Sequence, residues 1–271
     1  MPFNVACSTL SCSAKTYPDL FQALRKIRDL GFASHDLAAF ENWQNLNPSF
    51  LANASSAAVE NLAHSLRKTG LNLIAINAGP SVSMTSPSES DQSTYRKEVQ
   101  ALIDFAYITD AKTITLQPPK RSPDPKTEER NIAQLIETAK EFGPKAKKKS
   151  IRLTFENHQG SVLENPKDAL RFCETVSNYS GLTYDPSHFI MQGHTLEDTL
   201  SLIPYSPHIH LRNATLESMQ ANYPNSGHDY LIPLKNHLSD INYAGTLSIE
   251  YFNDFDPSFE SVMNIKELFE Q

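Results

Sequence analysis

The sequence predicts an α/β fold of the (β/α)8 TIM-barrel class, and three observations carry that prediction. Short apolar, β-branched runs recur eight times along the chain. Segments with helical periodicity lie between them. The runs begin about every 30–40 residues, the length of a strand–helix–strand unit. Strand alternating with helix implies a parallel sheet, and eight such units close naturally into a barrel. The alternative is an open, doubly wound sheet. That fold often has a glycine-rich first turn, whereas the first turn here reads STLSCSAK.

Taken in order, the predicted strands fall at 4–8, 34–38, 71–77, 112–117, 151–156, 181–185, 208–212 and 246–251. The first helix is expected over 17–30, with Leu20, Ala23, Leu24 and Ile27 on one face and Gly31 suited to its C-cap. A second, over 55–69, also ends on a glycine, Gly70. Further helices are expected over 95–109, 127–143, 166–178, 196–203 and 233–241. The last covers 258–269, with Asp256 as its N-cap and Pro257 in its first turn. The stretches 80–94 and 118–126 are rich in Pro, Ser and charge and follow the third and fourth strands. In a barrel they lie on the C-terminal face, where active sites sit, as lids or as solvated loops. The basic tract at 145–150 precedes the fifth strand and reads as a solvated turn on the opposite face. No repeat stands out beyond the strand–helix rhythm, so residues 1–271 are expected to form a single barrel domain.

Composition narrows the function classes. With 39% apolar and 20% charged residues, the chain has an ordinary globular make-up. A net charge of −7 repels a phosphate backbone and argues against non-specific nucleic-acid binding. The three cysteines, Cys7, Cys12 and Cys173, show no C-x-x-C spacing, which fits reduced thiols in a cytoplasmic protein. No signal-peptide pattern and no membrane-length apolar run is present, so no membrane association is expected.

The chemistry gathers at the ends of the last four strands. The fifth ends at Glu156 and the sixth at Asp185; the seventh contains His208, His210 and Arg212, and the eighth contains Glu250. Alone, Glu156 reads as a strand end facing solvent, Asp185 as a turn or cap, His210 as a core histidine and Glu250 as a partner for a lysine. Together, four consecutive strands deliver Glu, Asp, His and Glu to one end of the barrel, each after an apolar run where an unpaired carboxylate is costly to bury. One divalent cation resolves that cost. A set of three carboxylates and one imidazole suits Mn, Mg, Co or Fe(II), with zinc also accommodated.

At these residues the sequence resembles the xylose isomerase-like TIM-barrel superfamily, which includes sugar phosphate isomerases and epimerases, dehydratases and endonuclease IV-type repair enzymes. The resemblance rests on FENH (155–158), LTYDPSHF (182–189), HIHLRN (208–213), GHDY (227–230) and YAGTLSIEYF (243–252). It implies that Glu156, Asp185, His210 and Glu250 are metal ligands, that His188 lies beside the metal against substrate, and that Arg212 binds a substrate oxygen. His158 and Glu164 are further substrate-binding candidates, and Asp229 either caps a helix or reaches the site. Homodimers are common among such barrels. Asn77 and Gln117 stand where repair enzymes would place extra histidine ligands, which argues against a trinuclear zinc cluster.

The expected reaction is isomerisation or epimerisation of a small sugar or keto-polyol, by proton abstraction next to a carbonyl through an enediolate. Glu156, Glu250 and His188 are the catalytic candidates. Loss of a β-hydroxyl after the same first step would make a dehydratase or lyase. A non-catalytic sugar-binding or partner subunit is the reading from another class. His35 and Trp43, near the second strand, are candidates for the pocket lining or for ordinary packing.

Overall fold

The computed structural model describes residues 2–44, 46–225, 229–252 and 254–271. Eight parallel strands close in sequence order: β1 (Val5–Ser8), β2 (Ser34–Phe40), β3 (Asn72–Gly79), β4 (Thr113–Leu116), β5 (Arg152–Glu156), β6 (Gly181–Tyr184), β7 (His208–Leu211) and β8 (Thr246–Ile249). β1 pairs with β8 through Val5 and Leu247, which completes the ring. The (β/α)8 barrel expected from the sequence is therefore the observed fold. Among the described residues, no helix is long and apolar enough to cross a membrane.

The helices are α1 (Leu20–Asp29), α2 (Pro48–Asn53), α3 (Ser56–Arg67), α4 (Glu89–Thr109), α5 (Pro125–Lys147), α6 (Pro166–Val176), α7 (Pro186–Ile190), α8 (Leu231–Asp240) and α9 (Glu260–Glu270). Local chemistry explains most of their starts. Asp19, Ser55, Ser88, Asp124 and Asn165 each accept a backbone N–H of the first turn of the helix they precede. The four residues expected on the buried face of α1 are buried, and Gly31 follows that helix at φ +79°.

Several expected boundaries need correction. The helix expected over 95–109 starts at Glu89, because Ser88 caps it, so the loop after β3 is shorter than the 80–94 stretch. Likewise α5 starts at Pro125 and runs past Gly143 to Lys147, taking in part of the basic tract. The segment expected as a helix over 196–203 is a 3-10 helix over Glu197–Tyr205 with Pro204 inside it. A proline there removes a donor from the α ladder. At the last helix Pro257 lies ahead of the first turn, and the cap is Phe259 at φ 61°. Asp256 nonetheless accepts from the backbone N–H groups of Glu260 (3.0 Å) and Val262 (2.9 Å), satisfying the amides it was expected to cap from further out. The short helices α2 and α7 were not anticipated.

Strand alternation sorts the side chains. On β5, Phe155 points into the helix layer, where its ring packs edge-on against Phe172 at 5.6 Å. Thr154 and Glu156 point into the barrel. Inside, Thr115, Thr154 and Thr183 join in a hydroxyl cluster, with Thr183 Oγ1 2.7 Å from each of the other two. The inward row one step nearer the C-terminal ends of β5–β8 carries Glu156, Asp185, His210 and Glu250.

Candidate metal centre and active site

Glu156, Asp185, His210 and Glu250 converge as their strand positions require. One ligand-type atom from each lies within 4.8 Å of the other three, and all four residues are buried. His210 Nδ1 is 3.0 Å from Glu156 Oε1 and 3.5 Å from Glu250 Oε2. Asp185 also does what its place before a proline suggests. It is the N-cap of α7, with Oδ1 accepting from the Ser187 N–H (2.9 Å) and hydroxyl (2.5 Å). Its other oxygen, Oδ2, accepts from Arg212 Nη2.

Neighbouring side chains hold this set in place. Gln117 Nε2 donates to Glu156 Oε2 (2.7 Å), and Asn77 Nδ2 donates to Glu250 Oε2 (3.1 Å). The two positions where a repair enzyme would carry histidines thus hold amides that orient carboxylates. Asn157 brackets Asp185, donating to its carbonyl (2.7 Å) and accepting from its N–H (2.8 Å).

Below the four lies a carboxylate that sequence reasoning missed. Asp36 Oδ2 is 3.2 Å from His210 Nε2 and 3.2 Å from His208 Nε2. Its signal in the sequence was weak: a lone aspartate in a buried strand, SHDLAAF. Asp36, a carboxylate that can only accept, requires the proton on His210 Nε2. With Nε2–H donating downward, a proton on Nδ1 bonds Glu156 Oε1 (3.0 Å), and loss of that proton would leave the Nδ1 lone pair facing the carboxylates, free for a cation.

The electrostatics follow from crowding in a dry site. Burial alone would raise the Glu156 carboxyl, but the hydrogen bond and charge of His210 hold it well below the usual carboxylate range. Burial and the Glu156 charge outweigh His210 and Arg212 at Glu250, which is pushed up to about 7. Burial would lower the His210 imidazole, yet Glu250, Asp36 and Glu156 together raise it well above its ordinary value. Burial dominates at His188 and lowers it to about 3. Three carboxylates and one imidazole with these separations fit a hard divalent cation. The buried acidic and histidine cluster can therefore hold a metal ion.

A cavity of about 330 Å³ opens above this base. Glu156, Glu250, Arg212 and His158 line it, together with Asn77 and Gln117. The outer wall is Leu10, Phe40, Glu41, Trp43 and Phe252. Arg212 is 1% exposed; its Nε donates to Ser187 Oγ (2.7 Å), while Nη1 has no hydrogen-bond partner among the described residues. His188 touches the site from the side, with Nε2 3.0 Å from Arg212 Nη2 and its ring 4.3 Å from that of His158.

Other candidates fall elsewhere. Glu164 accepts from Arg121 Nη1 (3.0 Å) and the Gly160 N–H (2.7 Å) and does not line the cavity. Trp43 lines the cavity, whereas His35 is fully buried away from it, lowered by burial to about 4. Asp229 is exposed just before α8, and Gly227 and His228 of the same motif lie outside the described residues. Neither long top-face loop contributes to the cavity lining. The loops after β4 and β5 are instead pinned to each other, through the bridge Lys120–Ser161 and through Arg121, which pairs with Glu128, Glu164 and Asp168.

The profile of the xylose isomerase-like TIM barrel family matches residues 24–268. Among solved structures, the chain is similar to the 3-keto-D-glucoside 4-epimerase YcjR from E. coli, with TM-score 0.73 and 14% identity over 98% of this chain and 97% of that one. It is also similar to the probable 3-DHS dehydratase AsbF from Bacillus anthracis, with TM-score 0.74 and 12% identity over 99% of each. A third is a xylose isomerase-like TIM barrel protein from Mycobacterium smegmatis in complex with magnesium, with TM-score 0.72 and 17% identity over 99% and 97%. At these identities the likeness is one of fold. No curated protein matches the chain in sequence.

Proposed function

This chain belongs to the xylose isomerase-like TIM barrel family, and on that premise we propose that it is a divalent-metal-dependent isomerase or epimerase of a small sugar or keto-polyol. The observation that carries the reading is the convergence of Glu156, Asp185, His210 and Glu250 at the base of the cavity. These four residues would hold one Mn, Mg, Co, Fe or Zn ion. A bound ion supplies Lewis acidity there, polarising a carbonyl and acidifying the adjacent C–H.

The chain's own groups supply the rest. Glu156 and Glu250 both line the cavity from strands three steps apart. That placement suits removal of a proton by one carboxylate and its return by the other. Arg212 is held by Asp185 and Ser187, with Nη1 3.6 Å from Glu250 Oε1, and its guanidinium lines the cavity as the positive charge beside a substrate oxygen on which negative charge develops. His188 backs Arg212, and His158 closes the same side. We include residues 1–271 in one functional domain.

The test begins with elemental mass spectrometry on purified protein beside Asp185→Ala. About one metal per chain in the native protein, lost in the variant, is expected. Incubation of the metal-loaded protein with ketoses and keto-polyols in deuterated water then reads the chemistry. A product of unchanged skeleton carrying solvent deuterium is expected, and Glu250→Gln should abolish that exchange. A product lighter by one water would move the reaction to the dehydratases. Absence of metal, even after Mn(II) is added, would overturn the reading.

A further inference from the structure

Two amides at the floor of the cavity form a chain of hydrogen bonds whose polarity is fixed. An ionised carboxylate only accepts, so an amide beside one must turn its nitrogen to it. Gln117 Nε2 therefore donates to Glu156 Oε2 (2.7 Å), and Asn77 Nδ2 donates to Glu250 Oε2 (3.1 Å). Asn77 Oδ1 is left facing Gln117 Nε2 at 3.5 Å, which agrees with both orientations.

Gln117 has a further atom to use. Asn77 is 1% exposed, whereas Gln117 is half-buried and lines the cavity. With its nitrogen turned to Glu156, Gln117 carries Oε1 on the other side of the amide plane's axis. That oxygen has no hydrogen-bond partner among the described residues and is not closed off from solvent. The chain leaves β4 through Pro118 and Pro119, which have no N–H to offer. A ligand group that reaches Gln117 thus meets an acceptor, which a donor such as a hydroxyl satisfies.

The far side of the cavity has the opposite character. Arg212 lines it from the end of β7, three strands round the ring from β4. A guanidinium offers N–H groups and positive charge and accepts nothing. The line from Gln117 to Arg212 crosses the line from Glu156 to Glu250, because β4, β5, β7 and β8 follow in that order around the barrel. A carbonyl oxygen only accepts, while a hydroxyl also donates. Two such unlike walls favour one direction for a molecule that carries both groups.

We propose that Gln117 is a substrate-orienting residue of this site: its Oε1 accepts a hydroxyl of the ketose or keto-polyol on the β4 side, across from Arg212, while its Nε2 stays on Glu156. The inference rests on the reading of the cavity as a sugar or polyol site. It adds what that substrate must carry, an acceptor oxygen towards β7 and a hydroxyl towards β4. One planar amide then serves both the hydroxyl and the carboxylate, so that each bond polarises the other.

The full-length Mn(II)-loaded protein is titrated by calorimetry with D-fructose, D-tagatose and the singly deoxygenated derivatives of each. Gln117→Met, of similar length and without an amide, is titrated beside it. At least one parent ketose should bind the native protein, and one of its deoxy derivatives should bind about 3–10-fold more weakly. In Gln117→Met that derivative and its parent should bind alike, to within about twofold, while the other derivatives keep their native ratios. A role for Gln117 confined to holding Glu156 would weaken every probe by the same factor. The Mg(II)-loaded protein labelled with nitrogen-15 gives a reading that needs no variant. Its Gln117 side-chain amide signals should move further with the parent ketose than with the decisive derivative.

Ratios between probes that are the same in Gln117→Met as in the native chain would overturn the proposal, as would binding of neither ketose. If Gln117→Met takes up no metal, the amide signals decide alone, and equal movement with parent and derivative counts against it. Metal content and deuterium exchange of the native protein are measured separately. A protein that takes up metal and exchanges a substrate proton, yet keeps every ratio in Gln117→Met, loses the role of Gln117 and keeps the reaction. A native protein that takes up no metal loses both.

Discussion

Replacing Asp36 by asparagine removes one buried negative charge while keeping the shape of the side chain. In the native protein a single oxygen, Asp36 Oδ2, serves the Nε2 atoms of both His210 and His208 at 3.2 Å. His208 has a second anchor, Thr246 Oγ1 at 2.7 Å from its Nδ1, whereas the Nδ1 of His210 faces the cluster of carboxylates. The substitution therefore falls mainly on His210. Hydrogen bonds to a charged group are worth about 1.5–3 kcal/mol. Loss of such an outer partner typically lowers metal affinity about 10–100-fold. The assay is the Mn(II) dissociation constant, from electron paramagnetic resonance of the free ion at fixed pH. With Mg(II) bound, nitrogen-15 spectra of the imidazoles would show His210 losing its single Nε2–H form. An unchanged dissociation constant in Asp36→Asn, with a native melting curve, would refute the argument that Asp36 orients His210 as a ligand.

Other predictions follow from the same geometry. Metal uptake should strengthen as pH rises. Glu250, raised by burial to about 7, must lose its proton to bind a cation, and the raised His210 imidazole must lose one as well. The logarithm of the Mn(II) affinity should therefore climb by about one to two units per pH unit near neutrality, and a flat profile between pH 6 and 8 would contradict it. Gly143→Ala should destabilise the fold, because the new Cβ would sit 2.2 Å from the Tyr179 carbonyl oxygen. A cost of about 1–3 kcal/mol, or roughly 2–12 °C in Tm, is expected by differential scanning calorimetry. Arg121→Ala removes a half-exposed hub of three ion pairs. Its expected cost is only about 1 kcal/mol. Hydrogen exchange should nonetheless quicken at the Arg121 and Val162 amides, which bond Gly160 and Pro119 across the two joined loops.

The convergence of the four residues was legible because each lies at or near the end of a strand whose inward face is set by simple alternation. Reading positions along single strands was sufficient for Glu156, Asp185, His210 and Glu250. Asp36 was not legible in that way, since its partners lie 172 and 174 residues further along the chain. No spacing rule spans that distance. Glu164 shows the opposite failure: it follows strand five closely in sequence, but Arg121 draws it into a loop clamp away from the cavity. The two short helices, α2 and α7, are only six and five residues long, too short for a periodic pattern to register. Trp43 was noted near the second strand, but its side depends on the left-handed backbone at Asn42 and Gln44, and neither residue is a glycine that would have announced it.

The closed strand order also separates two tasks along the chain. Every proposed metal donor is delivered by β5 to β8, in the second half of the ring. Leu10, Phe40, Glu41 and Trp43 belong to the loops and strand end that follow β1 and reach past β2. Most of the outer wall and all of the proposed metal donors thus come from different stretches of sequence, with Phe252, after β8, the exception. A chimera that takes those two early loops from a related barrel should inherit the donor's taste in substrates while retaining this chain's own appetite for metal.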